Sequence, residues 1–158
     1  MKKIDPANWT SFFMKRKEGF CVEVLERMNG AMQDALSQGD LHAAAHCADK
    51  LCEGLSKLTQ SVSRERYAPM LYTYSFILAQ IAMFGVGGEK GLRAALPPLE
   101  DAYDFACRCA SNGFGEPEKV KSDVRLIGGI IDDIKSGRQI EEIKDEYCPD
   151  FPDNLINR

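Results

Sequence analysis

Apolar residues recur along this chain with the 3.6-residue period of an α-helix, and no stretch alternates as a half-buried strand would. Asp5-Pro6 opens a first short helix, since Asp accepts hydrogen bonds at an N-cap and Pro fits the first helical position. Its apolar side is Trp9, Phe12 and Phe13. It is expected to stop near Lys15-Arg16-Lys17, cations that suit a helix C-terminus. A longer helix follows from about Glu18 to Gln38, with Cys21, Leu25, Met28, Met32 and Ala35 on one face. Gly39 ends it. Asp40 then caps a helix whose inner face is Leu41, Ala44, Ala48, Leu51, Leu55 and Leu58.

Ser61 to Arg66 reads as a polar connection. The next helix is expected over Tyr67–Phe84, with Pro69 tolerated in its first turn and Gly85, Gly87 and Gly88 breaking it. Glu89–Leu96 would be a short helix cut by Pro97-Pro98. A new one begins there on Leu99, Ala102, Ala106 and Cys109 and stops at Asn112-Gly113. Pro117 opens a helix on Val120, Val124, Ile127, Ile131 and Ile134, ended by Ser136-Gly137. Gln139–Tyr147 is a last short helix, which the tail CPDFPDNLINR is not expected to continue. The chain is therefore expected to be one all-α domain over residues 1–158, with a short N-terminal helix at 5–16, a helical core over 18–136 and an acidic C-terminal tail over 139–158.

Helix, glycine, helix recurs at Gly39, Gly85 and Gly137, the kind of self-similarity that marks repeat architectures. The stretch QGDLHAAAHCADKL, residues 38–51, resembles the turn and second helix of a tetratricopeptide repeat. Gln38-Gly39-Asp40 matches the turn, and Ala44 the small residue where the two helices touch. Tyr74 and Ile81 sit where that repeat puts large first-helix residues, and LRAALPPLEDA would supply the second helix of that unit. The resemblance covers residues 20–110 and implies antiparallel helical hairpins stacked as an array. The hinges lie 46 and 52 residues apart, longer than the about 34 of that repeat, so a closed up-and-down bundle is the rival arrangement.

With 158 residues the chain is long enough to bury a core without staples. Its formal net charge of −4 gives no global basic field, which argues against nucleic acid. The charge is uneven: residues 1–20 hold five Lys/Arg against two Asp/Glu, and residues 139–158 hold two against six. The six cysteines, Cys21, Cys47, Cys52, Cys107, Cys109 and Cys148, show no CxxC pair, and several fall on apolar positions, so a reducing, cytoplasmic setting is expected. The N-terminus lacks the apolar run of a secretion signal. The longest apolar run, Met70–Phe84, is interrupted by Thr73, Ser75 and Gln80 and is shorter than the roughly 20 residues of a membrane span.

Candidate chemistry is sparse. His42, His46, Asp49 and Glu53 form a continuous polar stripe roughly 170° from the Leu41–Leu58 face, so they project away from the core. Two histidines four apart with nearby carboxylates can share a metal. Only alanines separate them, however, so the HExxH arrangement and its general base are absent, and a solvated helix face is the better reading. Cys107 and Cys109 point apart on a helix and cannot bridge. GVGGEK shares only glycine content with a phosphate loop. No nucleophile–base pair is legible, no cofactor is implied, and catalysis is not expected.

Tyr67–Phe84 is apolar on two faces, Tyr67, Leu71, Tyr74, Leu78 and Ile81 on one, Tyr72, Phe76, Ala79 and Met83 on the other. Such a helix is normally buried on both sides. Alternatively its second face lines a concave groove that grips a partner, as first helices do in stacked hairpins. Tyr72, Phe76 and Met83 would then be partner contacts, with Glu23, Arg27 and Asp34 of the preceding first helix as polar determinants. The expected function is a small intracellular protein-interaction module. The alternatives are a helical-bundle metal or ligand binder using the His42–His46 stripe or an interior pocket, and a homo-oligomer that buries the Tyr72–Met83 face.

Overall fold

The structure is a computed structural model that describes the backbone of residues 9–61 and 64–156, with side chains over 22–59 and 65–156. Among the described residues six α-helices follow one another: α1 Trp9–Ser37, α2 Leu41–Ser61, α3 Arg64–Gln80, α4 Gly88–Asn112, α5 Pro117–Lys135 and α6 Ile140–Tyr147. A π-helical turn, Ile81–Val86, joins α3 to α4, and a single 3₁₀ turn, Asp153–Leu155, follows α6. No strand occurs among the described residues.

Each helix packs chiefly on its neighbours in sequence: α1 on α2, α2 on α3, α3 on α4, α4 on α5 and α5 on α6. The joints are short and glycine-set. Gly39 takes the left-handed φ of 74° that a sharp helix stop needs, and Asp40 Oδ1 then accepts the Ala43 amide at 3.1 Å. Gly113, φ 71°, closes α4 with the Phe114 amide donating to the Cys109 carbonyl at 2.9 Å. Three antiparallel hairpins, α1/α2, α3/α4 and α5/α6, therefore stack in series. The segment after α6 returns to α1, where Gln33 Nε2 donates to the Leu155 carbonyl at 3.1 Å and Leu155 joins the core of the first hairpin.

Two cores result, and α3 belongs to both. Leu25, Met32, Leu51, Leu55, Tyr67, Leu71 and Ile81 lie in the first; Tyr72, Ala79, Met83, Leu99, Ile127 and Ile130 lie in the second. The apolar period marks these faces correctly: Ala44, Ala48, Leu51, Leu55 and Leu58 of α2 and Leu99, Ala102, Ala106 and Cys109 of α4 are all buried.

Three expectations are corrected. The break between a 5–16 helix and an 18–38 helix is absent from the described residues: α1 runs unbroken from Trp9 through Lys15-Arg16-Lys17 to Ser37. Basic residues favour a helix end but do not oblige one. The side chains of Trp9, Phe12, Phe13 and Cys21 lie outside the described residues. Second, α4 continues through Pro97-Pro98. The two amides lost are those that would reach the carbonyls of Arg93 and Ala94, both exposed residues where water can substitute. Third, α3 starts at Arg64, ahead of the expected Tyr67, and the π turn prolongs it. The helical stretch Glu65–Val86 then spans 22 residues, with a mean hydropathy of 1.3 over its apolar window, long and apolar enough to cross a membrane, and 44% of that window is buried inside the molecule.

Candidate functional site

A groove of about 460 Å³ opens between α1, α3 and the start of α5. It is a consequence of the stacking. Successive first helices run parallel: Val22 and Glu26 of α1 sit near Arg66 and Met70 of α3, Asn29 near Tyr74, and Gln33 near Ile77 and Gln80. A smaller hollow of about 220 Å³ shares Asn29, Met70 and Tyr74 with the groove and prolongs it toward Arg66. From Arg66 to Gln80 the floor helix extends about 21 Å at about 1.5 Å per residue. Six extended residues of a partner would match that length at about 3.3 Å each.

The floor is Met70, Thr73, Phe76 and Ile77 of α3, and Met70 is 39% exposed. Carboxamides rim it from three elements: Asn29 and Gln33 from α1, Gln80 from α3 and Asn154 from the C-terminal segment. A carboxamide donates and accepts at once, as a peptide backbone does. Glu116 and Lys119 add one charge of each sign at the α5 edge.

Two tyrosines brace the floor. The Tyr74 hydroxyl donates to Asn29 Oδ1 of α1 at 2.8 Å. The Tyr72 hydroxyl donates to Asp123 Oδ2 of α5 at 2.6 Å, and Lys119 Nζ meets the same oxygen at 3.0 Å. Burial raises both phenols above their ordinary value of 10.0, reinforced at Tyr72 by the Asp123 carboxylate, so both remain donors at neutral pH.

The structure separates the sequence candidates. Tyr72 and Met83, 3% and 0% exposed, are core residues, packed in the second core. Residues of α4 and α5 pack on that side of Tyr72 and Met83, and Tyr72 also lines the groove whereas Met83 does not. Phe76 is half-buried against the second core and still reaches the groove floor. Glu23 and Arg27 pair with each other at 2.8 Å on the exposed side of α1, and neither they nor the exposed Asp34 line the groove. His42, His46, Asp49 and Glu53 are exposed as expected, and Glu53 pairs with Lys50 at 3.4 Å and Lys57 at 3.8 Å. Among the described residues no group of three or more His, Cys, Asp or Glu side chains is gathered to hold a metal, so the four stripe residues do not converge on one point. His42 and Asp49 do edge a separate hollow of about 580 Å³ between α2, the π turn and α4, whose remaining lining is Leu, Ile, Ala, Gly, Val and Pro.

Asn29, Gln33, Thr73, Ile77, Gln80 and Asn154 were not singled out by sequence. A signal for part of the set exists. Asn29 and Gln33 each lie one position past an apolar residue of α1, Met28 and Met32, at the border of its buried face. Thr73 and Gln80 are polar interruptions in an otherwise apolar helix.

No protein-family model matches this chain, and neither the curated proteins nor the solved structures yield a significant match to it.

Proposed function

We propose that this chain is a small protein–protein interaction module without catalysis, working in a reducing compartment such as the cytoplasm, and that a partner segment seats in the groove between α1 and α3. The observation that carries the reading is the groove itself: a peptide-length trough with an apolar floor and carboxamides converging on it from three elements. Floor contacts supply affinity by removing apolar surface from water. The rim supplies register where a partner takes over the hydrogen bonds that its carboxamides make to the C-terminal segment. The free thiols of Cys47, Cys52, Cys107, Cys109 and Cys148 agree with a reducing setting.

Photocross-linking tests it. A photoreactive residue at Met70 or at Thr73 is expected to trap the same discrete adduct in extracts of the source cells, and one at Arg93, exposed on α4, is not. Met70→Glu is expected to reduce capture at Thr73 at least about tenfold with the helical circular dichroism unchanged. Equal labelling from Arg93 and from the groove would sink the reading.

A further inference from the structure

After α6 the chain returns to the groove. Cys148 is buried where α6 ends, and Phe151 then meets Phe84 edge to face, ring centroids 5.5 Å apart. The 3₁₀ turn that follows seats Leu155 in the first core at 7% exposure. Both walls hold this turn. Gln33 Nε2 of α1 donates to the Leu155 carbonyl at 3.1 Å, and Asn154 Nδ2 donates to Gln80 Oε1 of α3 at 2.9 Å. Gln80 is only 2% exposed, so its carboxamide is a buried acceptor aimed at this segment. The anchors are two apolar side chains four residues apart, one carboxamide and one main-chain carbonyl. None of these needs a covalent link to α6. α6 is itself held to α5 by Arg138, which meets Asp133 at 2.8 Å and also Glu142 and Glu146, so it does not depend on the tail for its place.

We infer that Asn154 and Leu155 close one end of the groove as an intramolecular occupant, with Phe151 anchored beside it on Phe84, and that this end of the groove recognises the same pattern in a partner. That pattern is a one-turn segment with two apolar side chains four residues apart and Asn just before the second. The inference rests on the interaction reading above and names the chemistry of its partner. A partner with this pattern reaches Gln33 and Gln80 by displacing the tail, so the tail lowers the apparent affinity by the fraction of time it is seated.

The test is fluorescence anisotropy with a labelled peptide DFPDNLIN, copying residues 150–157, titrated with the full chain as wild type, Leu155→Ala and Asn154→Ala. Leu155→Ala is expected to bind at least about tenfold more tightly than wild type, and Asn154→Ala to change in the same direction by less. A peptide with Asp in place of its Leu should not bind. If Leu155→Ala loses its helical circular dichroism, Asn154→Ala decides, since it removes one hydrogen bond and leaves the apolar anchors in place. A folded variant with no gain over wild type, or equal binding of the Asp peptide, overturns the inference. In that case an undiminished Met70 cross-link leaves the groove reading standing. A peptide gain without any Met70 cross-link would leave the tail as an occupant and sink the wider groove.

Discussion

Asp133 collects the polar contacts that close the last hairpin. Its carboxylate accepts from Arg138 Nη1 at 2.8 Å and from the Tyr147 hydroxyl at 2.9 Å. The Arg138 guanidinium, then the Tyr147 hydroxyl, hold its carboxyl below the ordinary 3.8. A folded value below the unfolded one gives stability that is present above the ordinary carboxylate range and lost as pH falls through the folded value. Asp133→Asn is therefore expected to lower Tm at about pH 7 and to approach wild type as the pH falls below the carboxylate range, read by calorimetry; a pH-independent gap would refute the ion pair as its source. The thiols make a second residue-scale case. Burial pushes Cys52 and Cys148 up from 9.0 to about 11 in each. Since the thiolate is the reactive form, both should alkylate at least about tenfold more slowly than a free thiol at about pH 8 in peptide-resolved mass spectrometry. Rapid labelling of Cys52 in the folded chain would mean that the α2–α3 contact opens.

At the scale of the element, two glycines with similar sequence settings behave oppositely. Gly91, in the first turns of α4, is buried, and a Cβ there would overlap the Ala82 carbonyl oxygen, backbone that cannot step aside. The π turn brings that carbonyl in, since Ala82 O accepts the Gly87 amide at 3.3 Å. Gly30, exposed in the middle of α1, has nothing within 4 Å of a Cβ. Gly91→Ala is expected to destabilise by about 1–3 kcal/mol through overpacking, and Gly30→Ala to stabilise by up to about 1 kcal/mol through helix propensity. Thermal melts would resolve both, at about 2–4 °C per kcal/mol for a chain of this size. The same sign for the two variants would mean that the π turn does not pack as described.

For the whole molecule, serial packing sets how stability is distributed. α3 has a hairpin on either side and contributes to both cores, whereas α6 is short and packs mainly on α5 and the π turn. A helix with few packed partners opens more readily than one packed on both sides. Native-state hydrogen exchange is expected to show the slowest amides in α3, between Leu71 and Gln80, and faster exchange in α6. Uniform protection across α2 to α6 would instead indicate one closed cooperative unit.

Helix positions were legible in the sequence wherever a local rule was enough. The apolar stripes of α2, α4 and α5, the stops at Gly39 and Gly113 and the start at Pro117 all follow from neighbours within one or two turns. Pro97-Pro98 misled because the two carbonyls it leaves without amide partners belong to exposed residues that water can reach, and Lys15-Arg16-Lys17 because cations favour a helix end without obliging one. Both apolar faces of α3 were visible as well, but a pattern within one helix cannot say what covers each face. Only the stacking of hairpins decides that α4 and α5 bury Tyr72 and Met83 while Thr73, Phe76 and Ile77 are left facing a groove. The same holds for Gln33, Gln80, Asn154 and Leu155: up to 122 residues separate the hydrogen-bonded partners, and no periodicity connects residues that meet only when the chain returns on itself.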